Sequence, residues 1–316
     1  MKQLMIVVAL FSLALTGCRN RAEKVVVKET YLHKYGVPVP KEDWARNGKD
    51  GQVVQLRNDG VTVSKSFEHG VLQGPVTYSY PNSTTVEKIE LYDRGLLLSV
   101  TRNFLSGVPH EMEKYEGQQI KEVSRWYEDG TPSAFETYEN GLMVTGEYRT
   151  PLNAVESVVE NGLGTRIARG NDGELLSKDS IVHGQMVERV TYFQNGDPAS
   201  VTSYENGLAH GTRLTFALGG LPKTVEQWMH GQQEGMTIVY LNGEKVAEVP
   251  YVKGEKHGTE LRYQDGQTVV EEISWKRGVQ HGPRKIISEE VTKTEWYNQG
   301  ELVSRTTFER MNPPTS

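Results

Sequence analysis

The chain has 316 residues, with 35 Lys and Arg against 41 Asp and Glu and a formal net charge of −6. It carries no cluster of Lys and Arg in its body, which argues against a nucleic-acid surface, and its mean hydropathy of −0.54 predicts a thin core. A single cysteine, Cys18, excludes an intrachain disulfide and any cysteine-built metal site.

The first segment reads as an address. Lys2 is followed by an apolar run from Leu4 to Leu15 and then by Leu15-Thr16-Gly17-Cys18. A charged start, an apolar stretch and small residues before a cut describe a secretory signal peptide, while a spanning helix needs about 18 or more apolar residues. The tetrapeptide resembles the lipobox of bacterial lipoproteins. That resemblance implies a lipoprotein signal peptide over residues 1–18, with Cys18 lipidated and the mature chain held to a membrane by its lipid anchor. Each buried methylene contributes about 0.8 kcal/mol, so several acyl chains hold a protein without a spanning segment. Arg19, standing where inner-membrane lipoproteins carry Asp, resembles the sorting signal for the outer membrane, so the expected location is the bacterial cell envelope.

Residues 19–51 carry Lys24, Lys28, Lys34, Lys41, Pro38 and Pro40 and read as an extended tether. Trp44 is expected to begin packing onto the first hairpin. Beyond it, Gly70, Gly95, Gly117, Gly141, Gly162, Gly184, Gly207, Gly231, Gly254, Gly278 and Gly300 recur at spacings of 21 to 25 residues. Phe67, Tyr92, Tyr138, Tyr204, Trp228, Tyr251, Trp275 and Tyr297 each stand three residues before one of these glycines. A second turn falls inside most units, as at Asp129-Gly130, Asn195-Gly196 and Asp265-Gly266. Asn-Gly and Asp-Gly supply the positive backbone angles of tight hairpins; Lys253 reads as a turn residue free of that demand. Between turns, Leu214 and Phe216, Met236, Ile238 and Tyr240, and Ile273 and Trp275 alternate with polar residues as strands do.

This pattern predicts an all-β chain: an elongated antiparallel sheet of about ten stacked two-stranded hairpin repeats over residues 52–309. A propeller would need a period of about 46 residues with four distinct strands. Residues 149–191 contain no aromatic, and Val159 and Ile181 replace the expected ring; the stretch reads as repeat drift or as a bend between two sub-arrays. Residues 310–316, with Pro313-Pro314, read as a disordered tail.

The most regular units begin Gly207-Leu-Ala-His-Gly211, Gly231-Gln-Gln-Glu-Gly235, Gly254-Glu-Lys-His-Gly258 and Gly278-Val-Gln-His-Gly282. They resemble the MORN-variant repeats of bacteria, closely over residues 184–309 and more loosely from 70 to 183. The resemblance implies stacked hairpins serving as a scaffold or binding surface; some members of that family are described as antitoxins.

Chemistry is sparsely marked. His210, His257 and His281 share one repeat position, yet histidines one or two hairpins apart lie about 10–20 Å from one another, too far to share a zinc at about 2 Å. The sequence contains no phosphate-cradling loop, no His-Glu-x-x-His and no Gly-x-Ser-x-Gly. The expectation is therefore a non-enzymatic chain without cofactor or metal, a scaffold that meets a protein or envelope partner. Its alternatives are a glycan or small-ligand binder using Trp228, Tyr251 and Trp275, and an immunity-like protein.

Overall fold

The computed structural model describes residues 24–313. They form one open antiparallel sheet of 27 strands, in which the strands pair in chain order from Val26–His33 to Glu301–Val303, except that the two-residue strands Pro38–Val39, Gln232–Gln233 and Glu255–Lys256 pair only with the strand before them. The hairpin repeats expected from the glycine period are present, and they do not close into blades.

Two kinds of turn alternate along the ribbon. At one edge a two-residue turn holds both central residues in the left-handed region, as at Asn206 (φ 51°) and Gly207 (φ 77°). Lys253 sits at φ 52° before Gly254, so the expectation that it is free of the turn's demand is corrected: the twist of the flanking strands requires both residues to be left-handed. At the other edge, turns such as 194–197 close through Gly196 N–H donating to the Phe193 carbonyl at 2.9 Å, and here only the glycine is left-handed.

The two-residue turns also bond to one another. Gly231 N–H donates to the Ala209 carbonyl at 2.8 Å, Gly254 to Gln233, Gly278 to Lys256 and Gly300 to Gln280, each at 2.9 Å. Every such bond joins one repeat to the preceding one, a second column that fixes register along the edge.

The second glycine of the repeat phrase has a packing reason. Gly211 lies opposite Trp228, Gly235 opposite Tyr251, Gly258 opposite Trp275 and Gly282 opposite Tyr297. A glycine leaves room for the facing ring and allows the irregular backbone found there. At Gly282 the φ is +113°, and a Cβ would meet Ser274 Cβ at 2.9 Å.

Both ends carry a short helix. The tether expected over residues 19–51 is corrected for its described part. Val26–His33 pairs with Gly51–Arg57, and the helix Lys41–Arg46 buries Trp44 against Tyr31 and Phe67, with ring centroids at 5.3 and 5.7 Å. At the other end Ser304 caps the helix Arg305–Met311 by accepting from Thr307 N–H. Phe308 packs on Trp296 at 5.0 Å and on His281 at 5.2 Å. This helix takes in Arg310 and Met311, so the disordered tail expected over residues 310–316 is corrected for these two residues. Residues 1–23, with the expected signal peptide and Cys18, and residues 314–316 lie outside the described residues.

Around residues 149–191, where the sequence left repeat drift and a bend open, the sheet curls. The hairpin Val155–Glu160 with Leu163–Arg169 pairs only at Val159 with Gly164 and at Glu160 with Leu163. Its turn is drawn inward: Gly162 N–H donates to the Val144 carbonyl, Gly184 N–H to the Gly162 carbonyl and Met143 N–H back to the Gly184 carbonyl, at 2.9 to 3.0 Å. Ala134, Met143, Tyr148, Val159 and Ile181 meet there in one buried cluster. In a flat sheet the strands that supply them would span about 19 Å. Curling explains the aliphatic side chains at these two repeat positions, because Val159 and Ile181 pack into an interior that the Tyr148 ring already occupies. A Cβ on Gly184 would stand 2.8 Å from the Met143 carbonyl oxygen.

Candidate functional site: the two faces of the ribbon

Registers read from strand to strand place one residue per strand in a row along the sheet. Val53, Lys65, Val76, Glu90, Val100, Glu113, Val123 and Glu136 are successive cross-strand partners. Beyond the curl the row continues as Arg166, Asp179, Arg189, Thr202, Arg213 and Glu226. The valines are buried. Four of the five carboxylates of this row, all but Asp179, are held by the ring two residues further on. Glu90 accepts from Tyr92 at 3.3 Å, Glu113 from Tyr115 at 2.5 Å, Glu136 from Tyr138 at 3.0 Å and Glu226 from Trp228 Nε1 at 2.8 Å.

The curl concentrates charge. Glu136 has no exposed side-chain surface and accepts four hydrogen bonds. Oε1 takes Tyr148 Oη at 3.0 Å and Arg166 Nε at 2.8 Å; Oε2 takes Arg125 at 2.9 Å and Tyr138 at 3.0 Å. Arg166 continues to Asp179 at 3.2 Å, which Arg189 grips with two nitrogens at 2.7 and 2.8 Å. On the other side Arg125 reaches Glu111, and Glu111 reaches Arg102, both at 2.9 Å. Seven alternating charges thus form one chain, and the Glu136–Arg166 link crosses from the strand Pro132–Glu139 to Leu163–Arg169.

Burial pushes the Glu136 carboxyl up, but the charges of Arg166 and Arg125 and their hydrogen bonds outweigh it and hold the group down to about 2. Burial and the Glu136 charge push Tyr138 up to about 12 and raise Tyr148 as well.

Trp228, Tyr251 and Trp275 stand half-buried at equivalent positions of three successive repeats, so the structure brings them onto one face as a ladder. Two of the three rings are covered. The Arg213 guanidinium lies 5.8 Å from the Trp228 ring and Lys256 Nζ 4.5 Å from the Trp275 ring. The histidines are turn and packing residues. His210 packs edge-on against His230 at 5.2 Å, His257 N–H donates to the Pro250 carbonyl at 3.0 Å, and His281 lies against Phe308. Among the described residues no group of three His, Cys, Asp or Glu is placed to hold a metal. No helix among them is long and apolar enough to cross a membrane.

Two hollows flank the curl. One, of about 240 Å³, is lined by Arg125, Arg149, Arg166 and Arg169 with Glu156 and His110. All four guanidinium groups are already engaged: Arg169 with Glu156 at 2.7 Å, Arg149 with Glu147 at 2.6 Å, and Arg125 and Arg166 in the chain above. The other, of about 460 Å³, is lined by Phe135, Val158, Glu122, Glu147 and Glu160.

The charged row escapes a reading of composition, because Glu in a strand resembles a solvated edge. Its signal is the recurring Glu-x-aromatic of Glu90-Leu-Tyr92, Glu113-Lys-Tyr115, Glu136-Thr-Tyr138 and Glu226-Gln-Trp228.

No protein-family model matches this chain, and no curated protein matches it. Among solved structures, TcdB2-TccC3 is similar at 13% identity and a TM-score of 0.23, covering 90% of this chain. A porin-like protein from Bacteroides uniformis is similar at 9% identity and a TM-score of 0.16, covering 78% of this chain and 89% of its own. The chain spans 14% of the length of the TcdB2-TccC3 chain it matches.

Proposed function

We propose that this chain is a lipid-anchored repeat scaffold of the bacterial cell envelope, fixed by Cys18 and presenting its ribbon to another macromolecule. The observation that supports this reading best is the open sheet itself. A stacked array with little enclosed space offers an extended surface built from neighbour contacts, which suits binding more than chemistry. The carboxylates buried in it are neutralised by guanidinium groups, as Glu136 is by Arg125 and Arg166. The glycan or small-ligand alternative is less well supported, since Arg213 and Lys256 already occupy positions over Trp228 and Trp275.

The test is fractionation of cells expressing the full chain or its Cys18→Ala variant. The variant is expected to leave the membrane fraction or to accumulate unprocessed. Unchanged processing together with unchanged membrane retention defeats the anchor.

A further inference from the structure

The sheet begins close to the proposed anchor. Its first strand starts at Val26, eight residues after Cys18, and a chain spans at most about 3.6 Å per residue. Val26 therefore lies within about 29 Å of a lipidated cysteine, where a tether running to residue 51 would have allowed about 120 Å. The end held near the bilayer differs from the rest in charge. Residues 24–50 carry six Lys and Arg against four Asp and Glu, while residues 51–313 carry 26 against 36. Among the described residues Lys24, Lys28 and Lys34 enter no ion pair; Lys34 Nζ lies 5.4 Å from the Tyr35 ring centroid. The neighbouring Glu29 is already held by Tyr31, by Gln55 at 2.7 Å and by Lys41 at 3.8 Å.

Apolar side chains are exposed beside these lysines. Val25, Val26 and Val27 stand between Lys24 and Lys28, and Tyr35 and Val37 follow Lys34; Val27 is 66% exposed and Tyr35 79%. Pro38–Val39 pairs with the first strand only at Tyr31 and Leu32, so no described strand lies beyond residues 26–30. Edge lysines, and a bulge such as the one between Val26 and Lys28, disfavour pairing with the edge of another chain. An occupant that needs no strand register, a bilayer surface, meets no such obstacle. The unpaired backbone groups keep this edge out of hydrocarbon, but headgroups and their water satisfy them. Tyrosine settles at headgroup level, and lysine stems lie along apolar surface while the ammonium reaches outward.

We infer that the terminal strand and its turn, residues 24–37, dock on the anionic headgroups of the bilayer that holds the anchor. The inference rests on the reading of Cys18 as lipidated. Eight strand residues span about 26 Å, so Lys24 and Lys28 at one end and Lys34 at the other reach one plane only if the strand lies along the surface. The acidic remainder of the chain is repelled by that surface within a Debye length of about 8 Å. Only the N-terminal end is drawn in, and the ribbon leads away from the membrane.

The experiment reconstitutes the full chain, purified from membranes, into phosphatidylethanolamine–phosphatidylglycerol vesicles. A bimane label is carried at Val27→Cys or, as control, at Leu218→Cys in a distant exposed turn. Shallow doxyl lipids are expected to quench the label at position 27 at least twofold more than the label at 218. Replacing Lys24, Lys28 and Lys34 together by Glu is expected to abolish that difference while the protein stays folded by circular dichroism and floats with the vesicles. Phosphatidylcholine vesicles are expected to reduce it. A chain that floats but is quenched equally at both positions, as it would be if a second copy covers the edge, overturns the inference alone. So does a difference that survives both the triple variant and the exchange of lipid. A chain that fails to float defeats the anchor, and the inference with it.

Discussion

The regular stretch from Gly207 to Gly300 and the curl around Glu136 solve one problem by opposite means. A single-layer sheet has little interior, so each repeat must find stabilisation on its own face. In the regular stretch a large ring lies across a neighbouring glycine and a carboxylate or cation trims it, as with Trp228, Gly211 and Glu226. In the curl Val159 and Ile181 stand where the repeat expects a ring, the backbone closes to within hydrogen-bond reach of a turn two hairpins away, and Glu136 ties its own strand to those of Arg125 and Arg166. The comparison teaches that the repeat tolerates loss of its aromatic only where the sheet folds inward and supplies another interior.

Removing the centre of the curl should be the most damaging change. Glu136→Gln removes the charge that Arg125 and Arg166 share; breaking one partner of a buried pair typically costs about 3–5 kcal/mol, and the partners that remain, Glu111 for Arg125 and Asp179 for Arg166, place this site at the lower end. The measurement is chemical denaturation of the variant beside the wild type; a loss below about 1 kcal/mol would show that the charges are not what holds the curl. The same carboxylate sets an acid limit. Its folded value is depressed to about 2 from 4.5, so its contribution is fully present above about pH 4.5 and is lost as pH falls toward 2. Melting temperatures taken across that window should fall more steeply in the wild type than in Glu136→Gln.

Trp275→Ala tests the other solution. Truncating a packed aromatic costs about 3–5 kcal/mol, and half-burial places this site at the lower end. Its effect should be independent of pH between 5 and 2, unlike that of Glu136. If the two variants share one pH profile, the division into two regions fails.

A matched pair of glycines sharpens the contrast further. Gly184 and Gly254 have similar φ values of +74° and +81°, but a Cβ at Gly254 meets nothing within 4 Å. Replacing either by Ala costs about 1–2 kcal/mol for the left-handed backbone. Gly184→Ala should lose a further 1–3 kcal/mol, about the usual cost of overpacking, read as the difference between the two melting shifts. Equal shifts would mean that the turns in the curl are no more crowded than the others.

The smallest effect belongs to the histidines. His257→Gln should change stability by less than about 0.5 kcal/mol, as surface substitutions usually do. His281→Gln should cost more, because His281 packs on Phe308 and accepts a hydrogen bond from Gln299 N–H at 3.3 Å. Identical melting curves for the two would remove the capping helix from the account of the C-terminal end.

Much of the fold was legible because turn chemistry is local. The glycine period, the Asn-Gly pairs and the two-residue alternation identify hairpins without knowledge of their neighbours. The short helices were not, since six or seven residues are too few to show a 3.6-residue period, and Lys41–Arg46 sits among prolines that suggest an extended chain. The facing of Gly211 and Trp228 was hidden for another reason: register across strands decides it, and the two residues are 17 apart. The charged row was the least legible. Arg166 and Glu136 are 30 residues apart, and only the curl makes them partners.

The bond between those two side chains also bears on how the ribbon would respond to force. A pull between the two ends loads the hairpins in series, so that each strand peels from the next while the others stay intact. Such unzipping meets only a few backbone bonds at a time and proceeds at low tension. At Glu136 the load encounters a rung that ties non-adjacent strands, reinforced by the Met143 and Gly184 backbone bond. Both must shear together before the next hairpin opens, so the curl acts as a mechanical stop midway along a chain that otherwise yields one strand at a time.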